Sequence, residues 1–210
     1  MQFETYSFRH AEVLLREPEF NEQGEELLNI ISNLSEDEII EKHRRYGIQN
    51  IEKTPKSVSS AINALLKERL VQADWSIESP IFQDPLYSEN TWRLDFAKKD
   101  ISIEVAFNHS TVIAWNLIKP VLASELNHVQ KAIQTRIGII ITVTEDMKRK
   151  GGFDGAIGTY EQFQKYLPTF QNLLPTPILL IGLRSPETFE IEVVQHAPRK
   201  KIGIIKMVRE

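Results

Sequence analysis

The chain has no cysteine among its 210 residues. That absence excludes disulfide staples, thiolate metal sites and thiol nucleophiles. Long apolar runs are missing too. Nothing approaches the roughly 20 residues that span a bilayer, and the opening MQFETYSFRHAEVLLREPEF carries too many charges for a secretory leader. A cytoplasmic protein without a membrane partner is expected. A basic excess, the usual footprint of a nucleic-acid binder, is also lacking, since the formal net charge is −4. Its distribution softens that objection: residues 1–50 hold 11 of the 29 acidic and 5 of the 25 basic side chains, leaving 18 acidic against 20 basic over the rest. Repeats, low-complexity tracts and linker-like stretches are absent as well. One domain over 1–210 is expected, with 1–72 mainly helical and 73–210 holding the core and the C-terminal strands.

Hydrophobic residues at 41% and charged residues at 26% are enough to build an ordinary globular core. From about 10 to 45 the pattern is helical, with Leu27, Leu28, Ile30, Ile31 and Leu34 at three-to-four spacing. Ser35 and Glu38 form the signature of a capping box. Residues 57–71, SVSSAINALLKERLV, place Val58, Ile62, Leu65, Leu66 and Leu70 on one helical face. The period then changes. WRLDFAKKDISIEVAF alternates apolar and polar residues over 92–96 and 101–107, which predicts a hairpin turning at Lys98-Lys99-Asp100.

A helix is predicted over about 116–135, with Leu117, Val121, Leu122, Leu126, Val129, Ala132 and Ile133 inward and Pro120 in its first turn, where a missing N–H costs little. IGIIITV at 137–143 and PILLIGL at 177–183 are short continuous apolar runs, the mark of strands covered on both faces. A glycine-rich loop at 151–158 leads into a helix near 159–167. FEIEVV and KIGIIKMV in the tail are expected to add two edge strands. This order describes an α/β protein with a central mixed β-sheet flanked by helices.

The chemistry centres on Asp95 and Glu104. Strand side chains at i and i+2 share a face, so Glu104 and Ala106 point the same way. A hairpin turning at 98–100 sets Asp95 beside Glu104. Two hard carboxylates at that separation suit Mg²⁺, which binds phosphate oxygens and acidifies water. Read alone, two acids on neighbouring strands are common, and solvated charges on a hairpin are the more usual reading.

LDFAKKDISIEVAF, with its acids nine residues apart and its Val105-Ala106-Phe107 sequel, resembles the BglII-type branch of the PD-(D/E)xK nucleases. IGIIITV, GTYEQFQKYL and TPILLIGL follow in the order and at the approximate distances of that branch, so the resemblance runs from about 57 to 185. It implies a restriction-endonuclease-like fold and a type II restriction endonuclease that hydrolyses double-stranded DNA at a short palindrome. It further implies Mg²⁺ as cofactor, a homodimer whose two-fold axis mirrors the site, and a cognate DNA methyltransferase as functional partner. Asp95 and Glu104 become the metal ligands and catalytic acids. Glu78, three residues after Trp75, takes the place of a polar residue that holds the water network; a surface glutamate before Ser79-Pro80 is the plain alternative.

One position departs from the pattern. Ala106 stands where the superfamily usually has lysine, and this branch glutamine or glutamate. Alanine cannot orient water or stabilise developing charge. Metal-bound water helped by Asn108 or His109, recruitment of Lys98 or Lys99 from the hairpin, and loss of cleavage are the three explanations; the first is preferred because Asn108-His109-Ser110 is unusually polar after an apolar strand.

The resemblance also places Asn108, His109 and Ser110 toward the major groove, where such side chains read base edges and phosphates; a polar turn with an N-cap is the alternative. Residues 147–154, with Arg149, Lys150 and Asp154, fit a flexible basic loop touching phosphates, and Arg199-Lys200-Lys201 form a third basic cluster. Glu125 and His128, three apart on a helix and without further ligands, are read as surface or dimer contact rather than a metal site. Two competing functions remain: a DNA-binding protein that has lost cleavage, and a PD-(D/E)xK repair nuclease acting on DNA structure.

Overall fold

The computed structural model describes residues 1–48, 50–125 and 129–208. Its centre is a six-stranded mixed sheet in the order β1-β6-β5-β4-β3-β2. These strands are β1 (Phe3–Phe8), β2 (Ser76–Pro80), β3 (Arg93–Lys98), β4 (Asp100–Val105), β5 (Thr135–Val143) and β6 (Ile178–Leu183). Strands β4, β5 and β6 run parallel, while β1, β3 and β2 join antiparallel. The two continuous apolar runs are covered on both sides, as expected. Ile137, Ile139 and Ile141 face one layer with Leu179 and Ile181; Ile140, Ile178 and Leu180 face the other.

The first layer holds α1 (Ala11–Leu14), α2 (Asn21–Ser32), α3 (Glu36–Arg45) and α4 (Ser59–Gln72). Burying side chains of Leu, Ile and Phe size contributes roughly 1.5–3 kcal/mol each, so these faces dominate the layer's stability. The capping box is present: Ser35 accepts the Glu38 N–H, and the Glu38 carboxylate accepts the Ser35 N–H at 2.9 Å. The N-terminal part is more than helical, because β1 pairs with β6 along its whole length. No local pattern announced it.

The second layer holds α5 (Ile113–Ser124) and α7 (Tyr160–Thr169), and α6 (Glu145–Lys150) follows β5. Helix α5 corrects the expectation of a helix over 116–135. It starts three residues earlier, so Pro120 lies in its interior rather than its first turn. It ends at Ser124, where Gln134 donates to the carbonyls of Ala123 (3.3 Å) and Ser124 (2.8 Å). Beyond it, Ala132 donates to the Ile81 carbonyl and Gln83 donates to that of Gln130. Tertiary pairing with residues 81–83 thus outweighs the helical spacing of Val129, Ala132 and Ile133; Leu126 and His128 lie outside the described residues.

Two further expectations are corrected. The tail strands β7 (Phe189–Ala197) and β8 (Lys200–Met207) do not extend the central sheet. They form a two-stranded sheet of their own, which inserts Phe189 and Ile191 into the first layer's core. Residues 147–150 are not loop but the end of α6, opened by the Thr144 side chain, which accepts the Met147 N–H. Among the described residues no helix is long and apolar enough to cross a membrane.

Candidate active site

Strands β3 and β4 pair regularly from Lys98↔Ile101 to Phe96↔Ile103. One step further the ladder changes character. The Val105 N–H donates to Oδ2 of Asp95 at 2.7 Å, and the Asp95 N–H reaches Oε1 of Glu104 at 3.3 Å. Side-chain oxygens replace carbonyls as acceptors there, and the two acids come to face each other across the strands. The expected hairpin turns at Lys99 and Asp100, the latter with φ of 69°.

Glu78 is the third acid. Ile77 pairs with Phe96 and Ser79 with Leu94, so Glu78 falls opposite Asp95. Its φ of 46° is left-handed, rare for a residue with a side chain and costly inside a strand. Its negative charge helps to raise the Asp95 pKa. A cleft of about 180 Å³ opens beside this row, lined by Glu78, Asp95, Phe96 and Val105 with Asn63 and Lys67 of α4.

Burial governs the electrostatics. Glu104 is 2% exposed. Desolvation, then the charge of Asp95, pushes its carboxyl up to about 8, against the pull of Lys119. Desolvation also raises Asp95, opposed by the Val105 N–H and by Lys119. Two carboxylates sharing a low-dielectric site are short of positive charge, which a divalent ion supplies. The donor set therefore fits a hard cation. Among the described residues no three acidic or histidine side chains close a full cage. Water and substrate oxygens would complete the shell, as Mg²⁺ generally requires.

Lys119 was not singled out by sequence. Its Nζ donates to Oε2 of Glu104 at 2.7 Å, and its side chain is 13% exposed. The available signal was its standing as the only charge in the α5 segment IAWNLIKPVLAS. Two glycines matter to its placement. A Cβ on Gly138 would lie 2.5 Å from Cβ of Pro120, and one on Gly158 would lie 2.9 Å from Cγ1 of Ile113. Bare backbone at these positions lets α5 settle close to the sheet.

With this geometry in place, comparison with known proteins is decisive. The profile of the restriction endonuclease BglII/BglIII family matches residues 3–183. The chain belongs to that family. Like other BglII-type members it is a type II site-specific deoxyribonuclease, and such endonucleases generally use a divalent metal ion. The crystal structure of restriction endonuclease BglII complexed with a DNA 16-mer has the same fold, with a TM-score of 0.62 and 20% identity, covering 99% of this chain and 100% of that one. Free BglII gives a TM-score of 0.49 at 20% identity over 99% and 93% of the two chains. Among curated proteins none matches significantly.

The structure gathers the remaining BglII-type candidates unevenly. Asn108, His109 and Asp154 line one pocket with Lys56, Ser57 and Ser59, the last three unforeseen. Asn108 accepts from Nδ2 of Asn116 at 3.0 Å, His109 accepts the Thr111 N–H at 3.2 Å, and the Ser110 N–H donates to the Ala156 carbonyl. Arg149 lines the neighbouring groove, and both it and Lys150 pair with Asp146. Arg199, Lys200 and Lys201 lie at the exposed turn between β7 and β8. Glu125 follows the end of α5 and is exposed.

The surroundings bear on two of the three explanations for Ala106. Asn108 and His109 are engaged in the separate pocket. Lys98 donates to Glu26 at 2.9 Å and to the Ala73 carbonyl at 2.8 Å, while Lys99 is exposed beside Asp100. Lys98 is taken up by Glu26 of α2 and the Ala73 carbonyl just after α4, and Lys99 by Asp100 of the hairpin itself.

Proposed function

We propose that the chain cuts double-stranded DNA at a short palindrome with Asp95 and Glu104 as ligands of Mg²⁺ and Glu78 as the residue that positions water. The observation carrying this is the meeting of buried Glu104 with half-buried Asp95, where backbone N–H groups of β3 and β4 donate to the carboxylates across the strands. When bound, the ion supplies Lewis acidity at the phosphate and lowers the pKa of water. The protein's own share is orientation. The Val105 N–H fixes Oδ2 of Asp95, and the Asp95 N–H steadies Glu104. Hydrolysis forms a bond from water oxygen to phosphorus and breaks the bond from phosphorus to one sugar oxygen.

Base readout is assigned to Asn108, His109 and Ser110, and phosphate contact to Arg149, Lys150 and Asp154, the last through its partner Lys56 at 3.2 Å. Arg149 and Lys150 end α6, and Asp154 lies in the loop that follows it. A homodimer supplies two active sites for two strands. The whole chain acts as one cytoplasmic nuclease domain, with a cognate methyltransferase protecting the host's own sites. Ala106 favours a second reading, a binding protein without cleavage. Digestion of phage DNA of known sequence with Mg²⁺ separates the readings. Discrete bands support sequence-specific cutting, a smear supports a structure-directed nuclease, and retention without cutting supports the binding protein.

A further inference from the structure

We propose that Lys119 of α5 is the catalytic cation of this site, contacting a non-bridging oxygen of the scissile phosphate beside the carboxylate pair. The inference rests on the nuclease reading above. Phosphoryl transfer builds negative charge on the phosphate oxygens, and fixed Lys or Arg groups in a water-poor site stabilise it most effectively. The strand that carries Glu104 offers no such group. Ala106, two residues on, is 1% exposed and lies in the same apolar cluster as Ile113 and Leu117 of α5. A long side chain at 106 would have to displace the helix.

That same helix brings the charge. Gly138 admits Pro120 against the sheet, and Lys119, its immediate neighbour, reaches Glu104 at 2.7 Å. An ammonium has three donors, and Glu104 takes one. Lys67, the other lysine at this site, is exposed on α4 at the rim of the cleft. Lys119 is thus the lysine with a partly buried ammonium already in contact with Glu104.

The test compares Lys119→Gln, Lys119→Ala and Lys67→Gln with the wild type and with Asp95→Asn. Single-turnover cleavage of phage DNA is read at saturating Mg²⁺, metal affinity by calorimetry, and DNA retention with Ca²⁺. Lys119→Gln is expected to lose roughly a hundredfold or more in rate, with metal affinity and DNA retention kept. Added methylammonium is expected to restore part of the Lys119→Ala rate at unchanged Tm. Lys67→Gln should lose less rate than Lys119→Gln, since Lys67 is exposed at the rim of the cleft. A Lys119→Gln rate near wild type, or a deficit abolished by more metal, would reduce Lys119 to a counter-ion of Glu104 and overturn the inference. So would full loss in Lys67→Gln with activity kept in Lys119→Gln. A wild type that leaves DNA intact, or an Asp95→Asn that cuts it, overturns the nuclease reading itself and this inference with it.

Discussion

Asp95 is held by the strand that carries Glu104: its Oδ2 accepts the Val105 N–H at 2.7 Å. Each acid is therefore positioned by backbone next to the other, and neither can turn away without losing a partly buried hydrogen bond. Such a bond contributes about 1 kcal/mol, and a stranded donor costs about 1–3.

Asp95→Asn and Glu104→Gln should each lower cleavage by about a thousandfold or more, the several kcal/mol that a metal-held phosphate represents. Asparagine still offers Val105 an acceptor oxygen, so the fold should persist. Circular dichroism and plasmid cleavage on the same samples check both halves. Full activity in either variant removes the metal assignment.

Metal-free protein should lose stability as the pH rises. Folding moves the Glu104 carboxyl from 4.5 to about 8. Between those values the folded chain keeps a proton that the unfolded chain has released, so unfolding is favoured progressively and the penalty is complete above the folded value. The raised Asp95 acts in the same direction. Melting curves in EDTA should show a Tm decline from about pH 5 to about pH 8 that is shallower in Glu104→Gln. Adding Mg²⁺ should raise the wild-type Tm more at the alkaline end. Parallel profiles for the two proteins would contradict the electrostatic account.

Gly138→Ala should damage both stability and activity from a position outside the acid pair. Its Cβ would meet Pro120 Cβ at 2.5 Å and force α5 off the sheet. Overpacking of this kind costs about 1–3 kcal/mol. Cleavage should fall further than the Tm loss explains, because Lys119 moves with Pro120. Urea melts and single-turnover rates, taken together, test the coupling.

Replacing Lys150 or Arg149 by alanine should weaken binding to all sequences alike and reduce the salt slope by about one unit each, as phosphate contacts do. Their exposed pairs with Asp146 are weak competitors. Asn108→Ala should instead cost about 1–3 kcal/mol of discrimination between sites. Retention assays on cut phage DNA across a salt series distinguish the two behaviours.

Periodicity and local chemistry were sufficient for much of this protein. Alternation over 92–107 set the hairpin, the apolar runs at 137–143 and 177–183 set two strands buried on both faces, and the Asp95–Glu104 spacing set the acid pair. Each depends on neighbours close in the chain. What only tertiary structure decided joins distant segments. Strand β1 pairs with β6 some 170 residues later, and residues 130–132 abandon helix for pairing with 81–83. Helix α5 lays Lys119 on Glu104 because Gly138 makes room for Pro120. No residue pattern encodes such a contact, since it is fixed by how closely two packed layers approach and not by the period of either.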